Sequence, residues 1–291
     1  MCSTLERALL AARMGTAPSR RSLDVVWAAL TPHERAWLGR RAEELAEQGV
    51  RAVLSDAGEP LFYTGPYQAV GSRVLAVCGR REAGAGAVRL AELAARGAVA
   101  AGATVIAGDT EGPERAAVLA ALEAGGLAVS VLAEGPGQAG GPRQVTVSPC
   151  APGQPWSVNA AMACNAVIAG LCTALVAIGA GGTGATLDAG MRALAAGRSV
   201  LAVGATAGSR LLVDYGATAA VDEIELMWWL GRQLDRLCAA DERLAPVTAR
   251  APSAAPPDRA RSYGEAIRPP AGSRPEGRAA WHRPARRWST V

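Results

Sequence analysis

The sequence predicts an α/β protein: a Rossmann-like, doubly wound, mostly parallel sheet, with a small helical segment before it and a disordered Arg/Pro-rich tail after it. Three observations predict this. From Arg51 to about residue 225, short apolar runs alternate with Ala-rich segments, as strands and helices do in a parallel sheet. Glycines stand where those helical segments have to stop. Beyond Arg243, Pro, Ala, Gly and Arg dominate and the hydrophobic periodicity is lost.

The elements follow in chain order. Residues 3–48 read as two or three amphipathic helices: Leu5, Leu9 and Leu10 fall at helical spacing, and Thr31-Pro32-His33-Glu34 has the form of an N-cap with proline at the first helical position. The strands expected next are Val74–Cys78, Thr104–Ala107, Ala128–Leu132, Val145–Val147, Ala174–Ile178 and Val200–Val203. Helices fill the gaps at about Ala87–Ala101, Pro113–Ala124, Asn159–Gly170, Thr183–Ala196 and Glu223–Ala239, and Gly102, Gly125, Gly126 and Gly197 mark their ends. The expected division is a helical segment at 1–49, the Rossmann-like domain at 50–225, a terminal helix at 226–242 and the tail at 243–291.

One stretch needs arbitration, because Val145 to Leu187 contains no charged residue and a hydropathy window over Val158–Ile178 resembles a membrane span. Asn159, Asn165 and the high alanine content argue for a buried helix near 160–170, followed by a buried strand near 174–178. No membrane association is expected.

Composition narrows the function classes. The only Phe is Phe62, so the core has to pack mainly Ala, Val and Leu. Residues 243–291 hold ten Arg against three acids, a local charge of +7 in a chain of net +4, which leaves the first 242 residues at −3. The folded part therefore carries no net electrostatic signature of nucleic-acid binding. In the tail, Trp281 and Trp288 are interleaved with Arg283, Arg286 and Arg287, a combination that can stack bases and neutralise phosphates, beside the plainer reading of a solubilising disordered arm. The six cysteines are scattered without a CxxC pair and the chain has two histidines, so neither a metal site nor a disulfide framework is expected. Glu6 and Arg7 stand where a secretory leader needs an apolar run, and a reduced, cytoplasmic compartment is the expectation.

In open parallel sheets, ligands collect at the carboxyl ends of the strands, where helix N-termini attract anions. Two loops fit that role. Val77-Cys78-Gly79-Arg80-Arg81 places a glycine beside two guanidinium groups, which grip phosphate through paired hydrogen bonds. Ile178-Gly179-Ala180-Gly181-Gly182-Thr183-Gly184 lets backbone amides approach an anion, with Thr183 and Thr186 as hydroxyl donors. Gly108, directly after an expected strand, Glu114, near a helix start, Asn165 and Arg210 complete the candidate set. No GxxxxGK[ST] loop and no correctly spaced GxGxxG is present, so neither an NTPase nor an ordinary dinucleotide enzyme is supported. No catalytic residue and no cofactor is assigned.

Several ordered segments between about residues 50 and 225 resemble the DprA/Smf DNA-processing family, within a wider group that includes the LOG-type nucleotide hydrolases. Leu61-Phe62-Tyr63-Thr64-Gly65 resembles the family's "P-x-L-hydrophobic-x-x-G" stretch, and Leu75-Ala76-Val77-Cys78-Gly79-Arg80-Arg81 its "V-A-I-V-G-S-R" turn, with Arg81 in the place of the family arginine. Gly112-Pro113-Glu114-Arg115-Ala116-Ala117-Val118-Leu119-Ala120-Ala121-Leu122-Glu123-Ala124-Gly125-Gly126 fits "G-I-D-A-A-A-H-R-A-A-L-E-A-G-G" without a gap. Asn165-Ala166-Val167-Ile168-Ala169-Gly170-Leu171 is similar to "N-R-I-I-A-G-L", Gly197-Arg198-Ser199-Val200-Leu201-Ala202-Val203 to "G-R-x-V-x-A-V", and Gly208-Ser209-Arg210-Leu211-Leu212-Val213-Asp214-Tyr215-Gly216-Ala217 to "G-x-N-x-L-I-x-x-G-A". The chain departs from the pattern at Cys164 and Ala166, where the family has arginines, and at Gly179, where it has glutamate.

The resemblance implies non-catalytic binding of single-stranded DNA through its phosphates, a role in DNA uptake and recombination, a RecA-type recombinase as partner, and pairing as a homodimer. Trp228 and Trp229 are read as anchors of the last helix or as a partner-facing patch. Two other readings stay open. Gly181-Gly182-Thr183-Gly184-Ala185-Thr186-Leu187-Asp188 is similar in outline to the "G-G-x-G-T-x-x-E" loop of the LOG-type nucleotide phosphoribohydrolases, with Asp188 for Glu; a nucleotide-sensing module is the third.

Overall fold

The computed structural model describes residues 2–14, 20–55, 58–138 and 140–241. Three helices come first: α1 (Thr4–Met14), α2 (Arg20–Ala29) and α3 (Pro32–Glu47). Thr31 starts α3 with a capping box, its hydroxyl accepting from the Glu34 N–H at 3.2 Å while the Glu34 carboxylate accepts from the Thr31 N–H at 2.8 Å. Pro32 then occupies the first turn, where its missing N–H costs nothing. Leu5, Leu9, Leu38 and Leu45 close around Phe62 and form a core of their own with β1 (Arg51–Leu54) and β2 (Pro60–Thr64).

The remaining elements are β3 (Val74–Gly79), α4 (Ala85–Ala100), β4 (Thr104–Gly108), α5 (Pro113–Glu123), β5 (Ala128–Val131), β6 (Gln144–Ser148), α6 (Val158–Leu171), β7 (Ala174–Ile178), α7 (Ala185–Ala195), β8 (Ser199–Val203), α8 (Ala207–Asp214), β9 (Thr218–Ala220) and α9 (Glu223–Asp241). Among the described residues they build one nine-stranded sheet in the order β1-β2-β6-β5-β4-β3-β7-β8-β9. β1 and β2 pair antiparallel, as do β2 and β6, and the other pairings are parallel.

The parallel strands are buried on both faces, and β3 shows how. Leu75 and Val77 join the core beneath α4, α5 and α9, whereas Val74, Ala76 and Cys78 join the opposite core with α6 and α7. Ala91, Ala94, Ala95 and Ala98 of α4 and Ala117, Ala120 and Ala121 of α5 are buried, so small side chains let these helices approach the sheet and one another closely. Leu226, Trp229 and Leu230 of α9 fill the space beside α4, and each such buried side chain contributes about 1.5–3 kcal/mol relative to exposure. The helix-ending glycine rule holds at Gly102, whose φ of +71° follows the end of α4 and lets the Ala103 N–H reach back to the Ala98 carbonyl at 2.9 Å.

Four elements go beyond the expected set. β1, at one edge, has four residues and β2 beside it five, β9 at the other edge has three and α8 has eight, lengths at which hydrophobic periodicity carries little signal. The uncharged segment resolves into α6, a helix of 14 residues, and β7, and among the described residues no helix is long and apolar enough to cross a membrane. The expectation of a disordered tail at 243–291 falls outside the described residues.

Candidate nucleic-acid interface

From β3 the chain winds outward through β4 and β5 to β6, then crosses back through α6 to β7 on the other side of β3, and continues outward to β8 and β9. The winding direction therefore reverses between β3 and β7, where α4 and α7 leave the sheet on opposite faces. Gly79 pairs with Ile178 at the carboxyl ends of these two strands, so the Gly79-Arg80-Arg81 and Gly179–Gly184 loops open side by side at the switch point. Gly108, at the end of β4, brings the loop Asp109–Gly112 to the same edge.

The loops are locked to one another. A Cβ on Gly79 would lie 2.6 Å from Cβ of Pro113, and one on Gly112 would lie 2.8 Å from the Arg81 carbonyl oxygen. On the other side, the Gly208 N–H donates to the Ala180 carbonyl at 3.1 Å, and the Thr206 hydroxyl donates to the same oxygen at 2.6 Å. Gly208 sits so close that a Cβ there would fall 1.9 Å from the Gly181 carbonyl oxygen. The start of α8 is thus the floor of the β7–α7 loop.

The helix starts are of two kinds, and both occur at this edge, where α6 and α8 begin as well as α4, α5 and α7. Thr31, Ser157 and Thr206 cap α3, α6 and α8 with their hydroxyls, whereas α4, α5 and α7 begin at Gly84, Gly112 and Gly184 with no side-chain cap. No side chain caps their first turns, although Pro113 of α5 has no N–H and the Arg115 and Ala87 N–H groups donate to the Thr110 and Gly84 carbonyls, and the positive end of each helix dipole points to the edge. Gly184 has a φ of +113°, a conformation in which a Cβ would be strained.

The candidate residues separate by exposure. Arg80, Arg81, Gly182, Thr183, Gly184 and Arg210 are exposed, and Gly181 is partly so. Among the described residues, the three arginines make no ion pair, leaving their guanidinium groups available to an anion. Thr186, Asn165 and Glu114 are buried. Asn165 donates from Nδ2 to Oδ2 of Asp188 at 2.9 Å, and the same oxygen accepts from Nε of Arg192 at 2.7 Å, so Asn165 ties α6 to α7. Glu114 is 7% exposed and lies under the β3–α4 loop, where its carboxylate accepts from the Thr110 hydroxyl and from the backbone N–H groups of Gly79 and Thr110. Burial pushes its carboxyl up to about 7, against the opposing pull of those hydrogen bonds and of Arg81. Glu82, Asp109 and Glu111 are exposed on the same loops, so the edge is mixed in charge.

One residue escapes a reading by motif. Trp156, in the connection from β6 to α6, is 59% exposed at the carboxyl edge of the sheet, just ahead of the Ser157 cap and within the uncharged segment. No motif marks it; only the direction of β6 places it on this edge.

The model of the family described as "DNA recombination-mediator protein A" matches residues 47–227, more than half of the chain. The chain belongs to this DNA-processing family. Two solved structures of family members share the fold. DNA processing protein A (DprA) from Streptococcus pneumoniae aligns with a TM-score of 0.55 at 17% identity, over 78% of this chain and 93% of that one. DNA processing protein A from Helicobacter pylori, whose structure is described for its single-stranded DNA binding mode, aligns with a TM-score of 0.54 at 13% identity, over 66% of this chain and 96% of that one. At such identities the likeness establishes architecture. No curated relative matches the chain by sequence. DNA-processing membership and the Rossmann-like fold thus agree with the resemblance drawn from the motifs.

Proposed function

We propose that this DprA-family protein binds single-stranded DNA without catalysis, holding its phosphates at the carboxyl edge where β3 meets β7, and passes the strand to a RecA-type recombinase. The observation that carries this is the convergence of three glycine-started helices without a side-chain cap, α4, α5 and α7, beside Arg80 and Arg81, which are exposed and make no ion pair among the described residues. Uncapped amides and guanidinium groups are donors without a partner, and a phosphodiester backbone supplies acceptors without donors. Gly181, Gly182 and Gly184 admit the strand to the backbone, Thr183 adds a hydroxyl, and Arg210 flanks the β7–α7 loop from α8, while Gly79 and Gly108 are buried and let Pro113 and Glu114 pack beneath the loops. Thr186 and Asn165 support α7 from within. Trp156 offers a stacking face to an unpaired base, which favours single-stranded over duplex DNA.

A glycosidic hydrolase would need Asp188 free for acid–base work, and here Asp188 is engaged by Asn165 and Arg192. Pairing into a homodimer is proposed through the exposed apolar residues Val221, Ile224, Met227 and Trp228 around β9 and α9.

The test is binding of labelled single-stranded and duplex DNA across a salt series, by the full chain and by its Arg80→Ala/Arg81→Ala variant. Single-strand preference is expected, and the variant should bind more weakly, with the slope of log K against log salt reduced by about 1.4, or about 0.7 for each lost phosphate contact. Equal slopes in the two proteins would refute the placement of the phosphates.

A further inference from the structure

Within the DNA-binding role proposed above, on which the inference rests, Glu114 stands out as a buried carboxylate without a cation at ion-pair distance among the described residues. Gly108 has no room for a side chain because a Cβ would meet the Glu114 carboxylate oxygen, so the end of β4 is shaped around this group. Its acceptors are filled by the Thr110 hydroxyl and by the N–H groups of Gly79 and Thr110, the residues that open the two loops of the anion edge. Glu114 thereby occupies, from inside the protein, the position toward amide donors that an external phosphate takes at such loops.

We propose that Glu114 is an internal anion in competition with the nucleic-acid phosphate, and that binding of single-stranded DNA at this edge is coupled to net proton uptake from solvent by the Glu114 carboxylate. A phosphodiester at Arg81 engages the cation whose field favours the ionised carboxylate, and it adds a like charge beside it. Both changes favour the protonated acid. A protonated carboxyl also gives up acceptor capacity, so an amide of Gly79 or Thr110 is released toward the incoming phosphate. By reciprocity, the proton strengthens phosphate binding as much as phosphate strengthens proton binding.

The groups that face Glu114 fit such a linkage. From β3 and α6 come the Cys78 and Cys164 thiols, both pushed up by burial and thus neutral near pH 7. The β3–α4 loop contributes Arg80, Arg81 and Glu82, the β4–α5 loop Asp109 and Glu111, and the first turn of α5 contributes Arg115; Glu82, Asp109, Glu111, Arg80, Arg81 and Arg115 are exposed. Glu114 titrates about 7, in the range where binding would be regulated. The chain's two histidines, His33 and His282, are the other side chains that ordinarily titrate there, and both can be removed.

The experiment measures affinity for an unphosphorylated oligothymidylate at fixed ionic strength between pH 6 and pH 8.5, in the full chain, its Glu114→Gln variant and its His33→Ala/His282→Ala variant. Affinity of the wild type and of the histidine-free chain is expected to fall about sevenfold across this range, as for a carboxyl whose pKa is raised by about one unit in the complex. The Gln variant should vary by less than about twofold, since one pH-independent form replaces two. Should the Gln variant not fold, titration calorimetry of the wild type at pH 7.5 in two buffers of different ionisation enthalpy reads proton uptake directly. Binding that is independent of pH, or a proton uptake of zero, overturns the coupling and leaves the DNA-binding proposal standing. Absence of binding to the oligonucleotide at any pH sinks both.

Discussion

Replacing Glu114 by Gln is expected to stabilise the free protein at alkaline pH and to change it little in acid, whatever the protein binds. Burial raises this carboxyl from 4.5 to about 7. Between those two values the folded chain holds a proton that the unfolded chain has released. The associated stability is therefore fully present below pH 4.5, is lost progressively as pH rises through about 7, and stays lost above it. A difference of about 2.5 units at about 1.36 kcal/mol each amounts to about 3 kcal/mol. Gln presents one acceptor oxygen and one donor group, as the protonated acid does, so it reproduces the favourable form at every pH. Urea denaturation of both proteins at pH 5, 6, 7 and 8 measures the effect. The variant should lead by less than about 1 kcal/mol at pH 5 and by up to about 3 kcal/mol at pH 8. A constant difference between the two proteins, or a wild type equally stable at pH 5 and pH 8, would refute the assignment of a buried, neutral-prone carboxyl beneath the β3–α4 loop.

Two further outcomes bear on the architecture of the edge. Gly208→Ala places a Cβ 1.9 Å from the Gly181 carbonyl oxygen, so the β7–α7 loop has to move; a loss of about 3 kcal/mol and of DNA binding is expected, whereas Gly182→Ala, with its nearest contact at 3.6 Å, should lie within about 0.5 kcal/mol of the wild type by denaturation. If Ile224, Met227 and Trp228 pair two copies, Ile224→Glu/Trp228→Glu should sediment as a monomer with an unchanged circular dichroism spectrum, and a wild type that is already monomeric at micromolar concentration removes that interface.

How much of this was legible in the sequence depended on range. The loops after β3 and β7 stand out because a glycine run after a β-rich stretch is a local signal, and the helix starts and stops at Thr31 and Gly102 are local as well. That the two loops are neighbours is not local: it follows from the crossover through α6 that seats β7 against β3, which periodicity alone does not specify. Glu114 illustrates the same limit. As an acid in a first helical turn it has the appearance of a dipole-stabilising or ligand-binding residue, and its contact with the Gly79 amide, from a residue 35 positions away in sequence, exists only once β3 and β4 are paired. α8 carried a motif but too few turns to show its period, and its function as the floor under Gly181 rests on one absent side chain at Gly208.

The charge distribution bears on the kind of DNA binding this fold is suited to. Residues 1–242 sum to −3, and the edge itself sets Arg80, Arg81 and Arg210 among Glu82, Asp109 and Glu111. Long-range attraction to a duplex, which depends on a basic surface, is therefore small for the folded unit. In the proposed function, affinity arises from contacts that act only at hydrogen-bond distance: helix starts without a side-chain cap at Gly84, Gly112 and Gly184, guanidinium groups that make no ion pair among the described residues, and the exposed ring of Trp156. Such donors require close approach of the strand, and a stacking ring requires an unpaired base. In the proposed function a flexible single strand meets both requirements and a duplex does not, which is the preference that the salt-series binding assay tests. The excess of +7 falls in residues 243–291, so a chain truncated at residue 242 is expected to bind DNA with a smaller salt slope than the full chain, and an unchanged slope would leave the tail without a part in binding.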